Sequence, residues 1–109
     1  MKTKVSKKAF LSSMARKHNM PITAVNDFYE AFIEEIYSTI ASGHTLTLTG
    51  FGSFYLQKHK GHPVQFDGNE GRRGVNDYLI FKFSASDVIN RRFRDDYQSG
   101  NVVFHFDET

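Results

Sequence analysis

The side chains in this sequence that are suited to chemistry are basic, histidyl and aromatic; there is no cysteine among the 109 residues. Thiol nucleophiles, disulfides and thiolate metal sites are therefore excluded, and a reducing cytoplasm is the expected compartment. The histidines, at 18, 44, 59, 62 and 105, are scattered. None shows metal-ligand spacing such as two His four apart beside a carboxylate, so no metal is expected. There is no Gly-x-Ser-x-Gly elbow, no phosphate loop and no carboxylate pair that periodicity would bring together. Gly50-x-Gly52 lacks the third glycine and the following helix of a dinucleotide fingerprint. The reading is of a protein that is not an enzyme, with no cofactor and no small-molecule substrate. What remains is non-covalent chemistry by positive charge and aromatic rings.

That charge is unevenly placed. The formal net charge is +2. Residues 1–20 nevertheless carry Lys2, Lys4, Lys7, Lys8, Arg16 and Lys17 with no acid. Residues 21–42 carry Asp27, Glu30, Glu34 and Glu35 with no Lys or Arg. Residues 43–83 are again basic in balance, and 84–109 are acidic. A polyanion would be met by part of such a surface. The plainer alternative for the basic N-terminus is a solubilising tail. No apolar run approaches the roughly 20 residues of a membrane span. Met1-Lys2-Thr3-Lys4 is followed by no apolar stretch of signal-peptide type, so no membrane partner is expected.

Helices and strands must position these groups. Ser6 to Asn19 reads as a first helix, capped by Ser6, with Phe10, Leu11, Met14 and Ala15 on one face. Asn19-Met20-Pro21 breaks it. A second helix runs from Pro21, at its first position, to about Ser42, where Gly43 stops it. Its stripe of Val25, Phe28, Tyr29, Phe32, Ile33, Ile36 and Ile40 is wide enough to suggest burial on more than one side. The period then changes to two. Thr45 to Thr49 alternates Thr and Leu, a strand with one wet face. Gly50-Phe51-Gly52 is a tight link with Phe51 buried, leading to a strand from Ser53 to about His59 with Phe54 and Leu56 facing in. Residues 60–76 hold four glycines and a proline, too long for an ordinary hairpin loop. Strand-like Tyr78 to Phe83 follows. Residues 58–82 therefore read as a projecting two-stranded arm with its tip near 63–71. Ser84 or Ser86 caps a third helix, with Val88, Ile89 and Phe93 inward and Arg91, Arg92 and Arg94 outward. Val102 to Phe106 reads as a short strand in an acidic-tipped tail.

This order, with Gly43, the alternating strand, the Gly50-Phe51-Gly52-Ser53-Phe54 link and Phe81-Lys82 on the return strand, resembles the HU/IHF family of bacterial and phage DNA-bending proteins. The resemblance covers about residues 4–95. It implies an α+β fold. Two N-terminal helices, a three-stranded antiparallel sheet with a projecting β-ribbon arm, and a short C-terminal helix would form an intertwined dimer. Residues 1–95 would be the DNA-binding domain and 96–109 an extension without a family counterpart. The dimer core would be Phe32, Ile36, Ile40, Phe51, Phe54 and Phe81, the phenylalanines being its aromatic part.

The resemblance also implies a function: binding and bending of double-stranded DNA through the minor groove, with low sequence specificity, by a nucleoid-associated homodimer. A heterodimer with a related subunit is the other pairing the family uses. Phosphates would be met by Lys4, Lys7, Lys58, Lys60, Arg72, Arg73 and Lys82, together with Arg91 and Arg92, and His62 would also belong to the DNA-binding set. The ordinary alternative for Arg91 and Arg92 is a solvated helix face paired with Asp95 and Asp96. Pro63 would be the wedge between base pairs; without the family it reads as a turn former. The arm departs from the family pattern. His62 stands where the family has Asn, no Arg precedes it, Phe83 follows Lys82 in place of Pro, and Asp67, Glu70 and Asp77 add acid. That acid motivates the alternative function, an HU-like fold turned to protein–protein interaction.

Overall fold

A computed structural model describes residues 3–61 and 76–105. Three helices, α1 (Lys7–Lys17), α2 (Ile22–Ala41) and α3 (Asp87–Gln98), accompany three strands, β1 (Leu46–Leu48), β2 (Gly52–His59) and β3 (Tyr78–Ala85). The described parts of Met1–Thr39 and Arg91–Thr109 form one compact unit, and those of Ile40–Asn90 another.

In the first unit α1 begins as its sequence dictates. Ser6 lies in the extended region, and its Oγ accepts the Ala9 N–H at 3.1 Å. The helix ends where Asn19 takes a positive φ of 55°. The Met20 N–H donates to the Ala15 carbonyl and the Asn19 N–H to that of Arg16, closing the orphan carbonyls of the last turn. The Pro21 carbonyl accepts the Val25 N–H at 3.1 Å, so Pro21 precedes the first turn of α2 rather than occupying it. Leu11, Ala15 and Val25 are the buried cluster, with Met14 and Tyr29 packed against it. Burying Leu11 and Val25 fully contributes about 1.5–3 kcal/mol each. Phe10, expected on this face, is exposed instead and lies outside that cluster.

In the second unit the strands form one antiparallel sheet in the order β1-β2-β3. The register sets Leu46 opposite Phe54 and Leu48 opposite Gly52, then Phe54 opposite Phe83 and Leu56 opposite Phe81. Opposed side chains share a face. One face therefore gathers leucines and phenylalanines, and the other Thr47, Ser53, Tyr55 and Lys82. Phe54 lies 4.8 Å from Phe83 and 5.6 Å from Phe81, centroid to centroid. The link between β1 and β2 is closed by the Phe51 N–H donating to the Leu48 carbonyl, with Gly50 at φ 84°, a backbone conformation that suits glycine. Phe51 packs on Phe83 at 5.1 Å. In the single chain it is 48% exposed, covered on one side only.

The Ser86 N–H donates to the Phe51 carbonyl, tying the link to the start of α3. Ser86, not Ser84, is the cap: its Oγ accepts the Ile89 N–H at 3.2 Å. β3 runs two residues further than alternation suggested and takes Ser84 into the ladder. Of the residues expected inward on α3, Ile89 is half-buried while Val88 and Phe93 are exposed. α3 continues through residue 95, so the expected domain boundary falls within it. It ends at Gln98, with the Asn101 N–H donating to the Asp96 carbonyl at 2.8 Å. Residues 101–105 form no strand; beyond that turn no described strand pairs with them. Among the described residues no helix is long and apolar enough to cross a membrane.

Candidate nucleic-acid interface

The cations expected to meet phosphate fall on three elements. Lys58 and Lys82 lie on the β2–β3 ribbon, with Lys60 just beyond β2. Register separates the first two: Lys58 opposes Leu79 and Lys82 opposes Tyr55, positions on opposite faces. Lys82 is half-buried, whereas Lys58 and Lys60 are exposed. The face that carries Lys82 also presents Tyr55 and a hydrogen-bonded pair of hydroxyls, Thr47 Oγ1 and Ser53 Oγ at 3.0 Å. Neither Tyr55 nor this pair was singled out in the sequence. Period-two alternation from Leu56 would have placed them on the wet face.

Where the described ribbon ends, contacts are dense. His59 stacks on Tyr78 with centroids 5.4 Å apart, and its Nε2 is buried without a hydrogen-bond partner among the described residues. Lys58 Nζ lies 3.4 Å from Asp77 Oδ2, and the Gly61 N–H donates to Asp77 Oδ1 at 2.9 Å. His62, Pro63, Arg72 and Arg73, including the expected wedge, lie outside the described residues.

The second group stands at the start of α1. Lys7 and Lys8 occupy its first turn, which holds no acid, and Lys4 precedes it. Cations there oppose the helix dipole by about 0.3–1 kcal/mol each, and an arriving anion reverses the sign. Lys7 Nζ pairs with Glu30 at 3.1 Å and sits 5.0 Å above the Tyr29 ring. Both partners of that ion pair are more than half exposed, so the pair contributes about 0–1 kcal/mol and is readily exchanged for another anion. The third group is on α3. Arg92 Nε reaches Asp96 at 4.0 Å one turn on, and Arg91 makes no ion pair with a described residue. Among the described residues no cluster could hold a metal ion.

The side chains expected in a dimer core are placed unevenly. Ile40 is buried within the single chain. Ile36 and Phe54 are half-buried. Phe32, Phe51 and Phe81 are 42%, 48% and 53% exposed.

A family model described as bacterial DNA-binding protein matches residues 5–66, more than half of the chain. The chain belongs to the HU/IHF family. The integration host factor alpha subunit of Mannheimia haemolytica is 32% identical over 80 residues, spanning 73% of this chain and 81% of that protein. The corresponding subunit of Actinobacillus succinogenes is 34% identical over 72 residues, 66% and 69% of the two chains. Among solved structures, an Anabaena HU–DNA cocrystal structure has the same fold, with a TM-score of 0.65. Identity there is 22%, over 80% of this chain and 95% of that one. The family is one of architectural DNA-binding proteins and not of enzymes.

Proposed function

We propose that this HU/IHF protein is an architectural DNA-binding protein that works as a homodimer and bends duplex DNA through its minor groove, with little dependence on sequence. DNA binding follows from the family, and the protein–protein alternative is not favoured. The observation that supports the mode of binding is the β2–β3 ribbon. It runs as an eight-residue antiparallel pair from Gly52↔Ala85 to His59↔Tyr78, with one apolar face and cations along it. In the minor groove, where this reading places the ribbon, base edges are read only degenerately, so shape and deformability outweigh base identity.

Lys4, Lys7, Lys58, Lys60, His62, Arg72, Arg73 and Lys82, with Arg91 and Arg92, are the proposed DNA-contacting set, and Pro63 the proposed wedge. Residues 1–95 are the proposed DNA-binding domain and 96–109 an extension, into which α3 carries on as far as Gln98. Nucleoid association follows from binding DNA without sequence preference.

Gel shift against linear, nicked and four-way-junction duplexes tests the reading, with bend angle read by end-to-end fluorescence transfer. Shifts are expected with all three DNAs at low salt; none at all would remove the reading. Pro63→Ala is expected to keep most of the affinity and lose a substantial part of the bend. An unchanged bend dismisses Pro63 as the wedge. If about eight phosphates are neutralised, the slope of log affinity against log salt is about −7. A binding constant that hardly changes between low and moderate salt would contradict phosphate-dominated contact.

A further inference from the structure

One carboxylate at the end of the described ribbon holds two groups. Asp77 immediately precedes β3, Lys58 is the penultimate residue of β2, and Gly61 lies two residues past its end. Oδ2 faces Lys58 Nζ at 3.4 Å, and Oδ1 accepts the Gly61 N–H at 2.9 Å. The second bond pins backbone just beyond the ladder, and the first holds a cation that the proposed function would give to phosphate.

We infer that Asp77 restrains DNA affinity: it keeps Lys58 in an internal pair that a phosphate must displace, while fixing the chain at Gly61. This inference rests on the DNA-binding reading above. Lys58 and Asp77 are 67% and 47% exposed, so the pair is weak enough for phosphate to break. Breaking it still subtracts from the gain of a phosphate contact. It also leaves an uncompensated negative charge well inside a Debye length of the DNA backbone. The restraint operates without abolishing binding, and removing the charge alone separates it from the backbone bond.

Asp77→Asn keeps an acceptor oxygen for the Gly61 N–H and discards the charge. On a linear duplex at low salt it is expected to bind about threefold to tenfold tighter than the parent. Its log–log salt slope should be steeper by up to about 0.9 per subunit, as Lys58 is freed for phosphate. In a Lys58→Gln background the same substitution should give less than half of that gain on a logarithmic scale. A second measurement does not depend on the fold of the Asp77 variant. Lys58→Gln alone should weaken binding less than Lys60→Gln, because breaking the pair with Asp77 already cancels part of the Lys58 contact. If the parent binds DNA but Asp77→Asn is no tighter, or gains equally without Lys58, or the two lysine variants weaken alike, the restraint is overturned and the DNA-binding reading stands. If the parent binds no DNA at low salt, both fall.

Discussion

At the scale of the residue, Gly52 shows why the Gly-Phe-Gly link is built as it is. It begins β2, is buried, and has no room for a side chain. A Cβ there would sit 2.5 Å from the Phe83 ring and 2.5 Å from the Ser84 carbonyl oxygen. The ring could swing away, but the carbonyl belongs to the opposed strand and moves only with the ladder. Gly52→Ala is therefore expected to destabilise the protein by about 3 kcal/mol, at the upper end of overpacking costs. Urea unfolding of the variant against the parent checks this; a difference below about 0.5 kcal/mol would mean that the link yields easily. A positive φ explains Gly50, but a close approach explains Gly52. The sequence showed two glycines of one kind, because an approach across strands depends on a register that spacing alone does not give.

At the scale of the element, the start of α3 separates two serines that local pattern leaves equal. Ser86 accepts the Ile89 N–H, whereas Ser84 is paired with Ser53 in the ladder. Ser86→Ala is expected to cost about 1 kcal/mol of stability and Ser84→Ala less than about 0.5 kcal/mol. Thermal unfolding of both variants checks the assignment; equal losses would refute it. The elements themselves were largely legible. Ser6 capped α1, Gly43 ended α2, and alternating Leu and Thr marked β1, because caps and periodicity are written in neighbouring residues. Less legible were side-chain surroundings, which depend on distant residues. Phe10, Phe93 and Val88 fit helical stripes but are exposed. Lys58 and Lys82 read as one basic arm but stand on opposite faces. Asp77 read only as added negative charge, because its bonds to Lys58 and Gly61 exist only once β2 and β3 are in register.

At the scale of the whole molecule, burial and exposure are out of proportion. Among the described residues the buried apolar side chains are Leu11, Ala15, Val25 and Ile40, while nineteen large apolar side chains are exposed. The exposed set includes Phe28, Phe32, Ile33 and Tyr37 on α2, and Leu56, Leu79, Phe81 and Phe83 on the sheet. A chain of this size already buries a modest fraction of its surface, and isolated soluble domains rarely leave such contiguous apolar faces in water. The first unit's stripe and the second unit's phenylalanine face each lack a cover within their own unit, and a second copy of the chain is the cover that family membership suggests. Folding and dimerisation should then be one equilibrium, with no stable monomer. The melting temperature should rise with protein concentration, by about 3 °C per tenfold, for a unit of two such chains with about 0.7 kcal/mol of unfolding enthalpy per residue. Sedimentation should give twice the chain mass throughout the folded range. Phe81→Ala should lower the melting point and steepen its concentration dependence at the dilute end, since it removes a ring that its own chain leaves half uncovered. A melting temperature independent of concentration, with the mass of a single chain, would mean that these faces stay in water. The proposed bending of DNA by two arms would then lack its second arm.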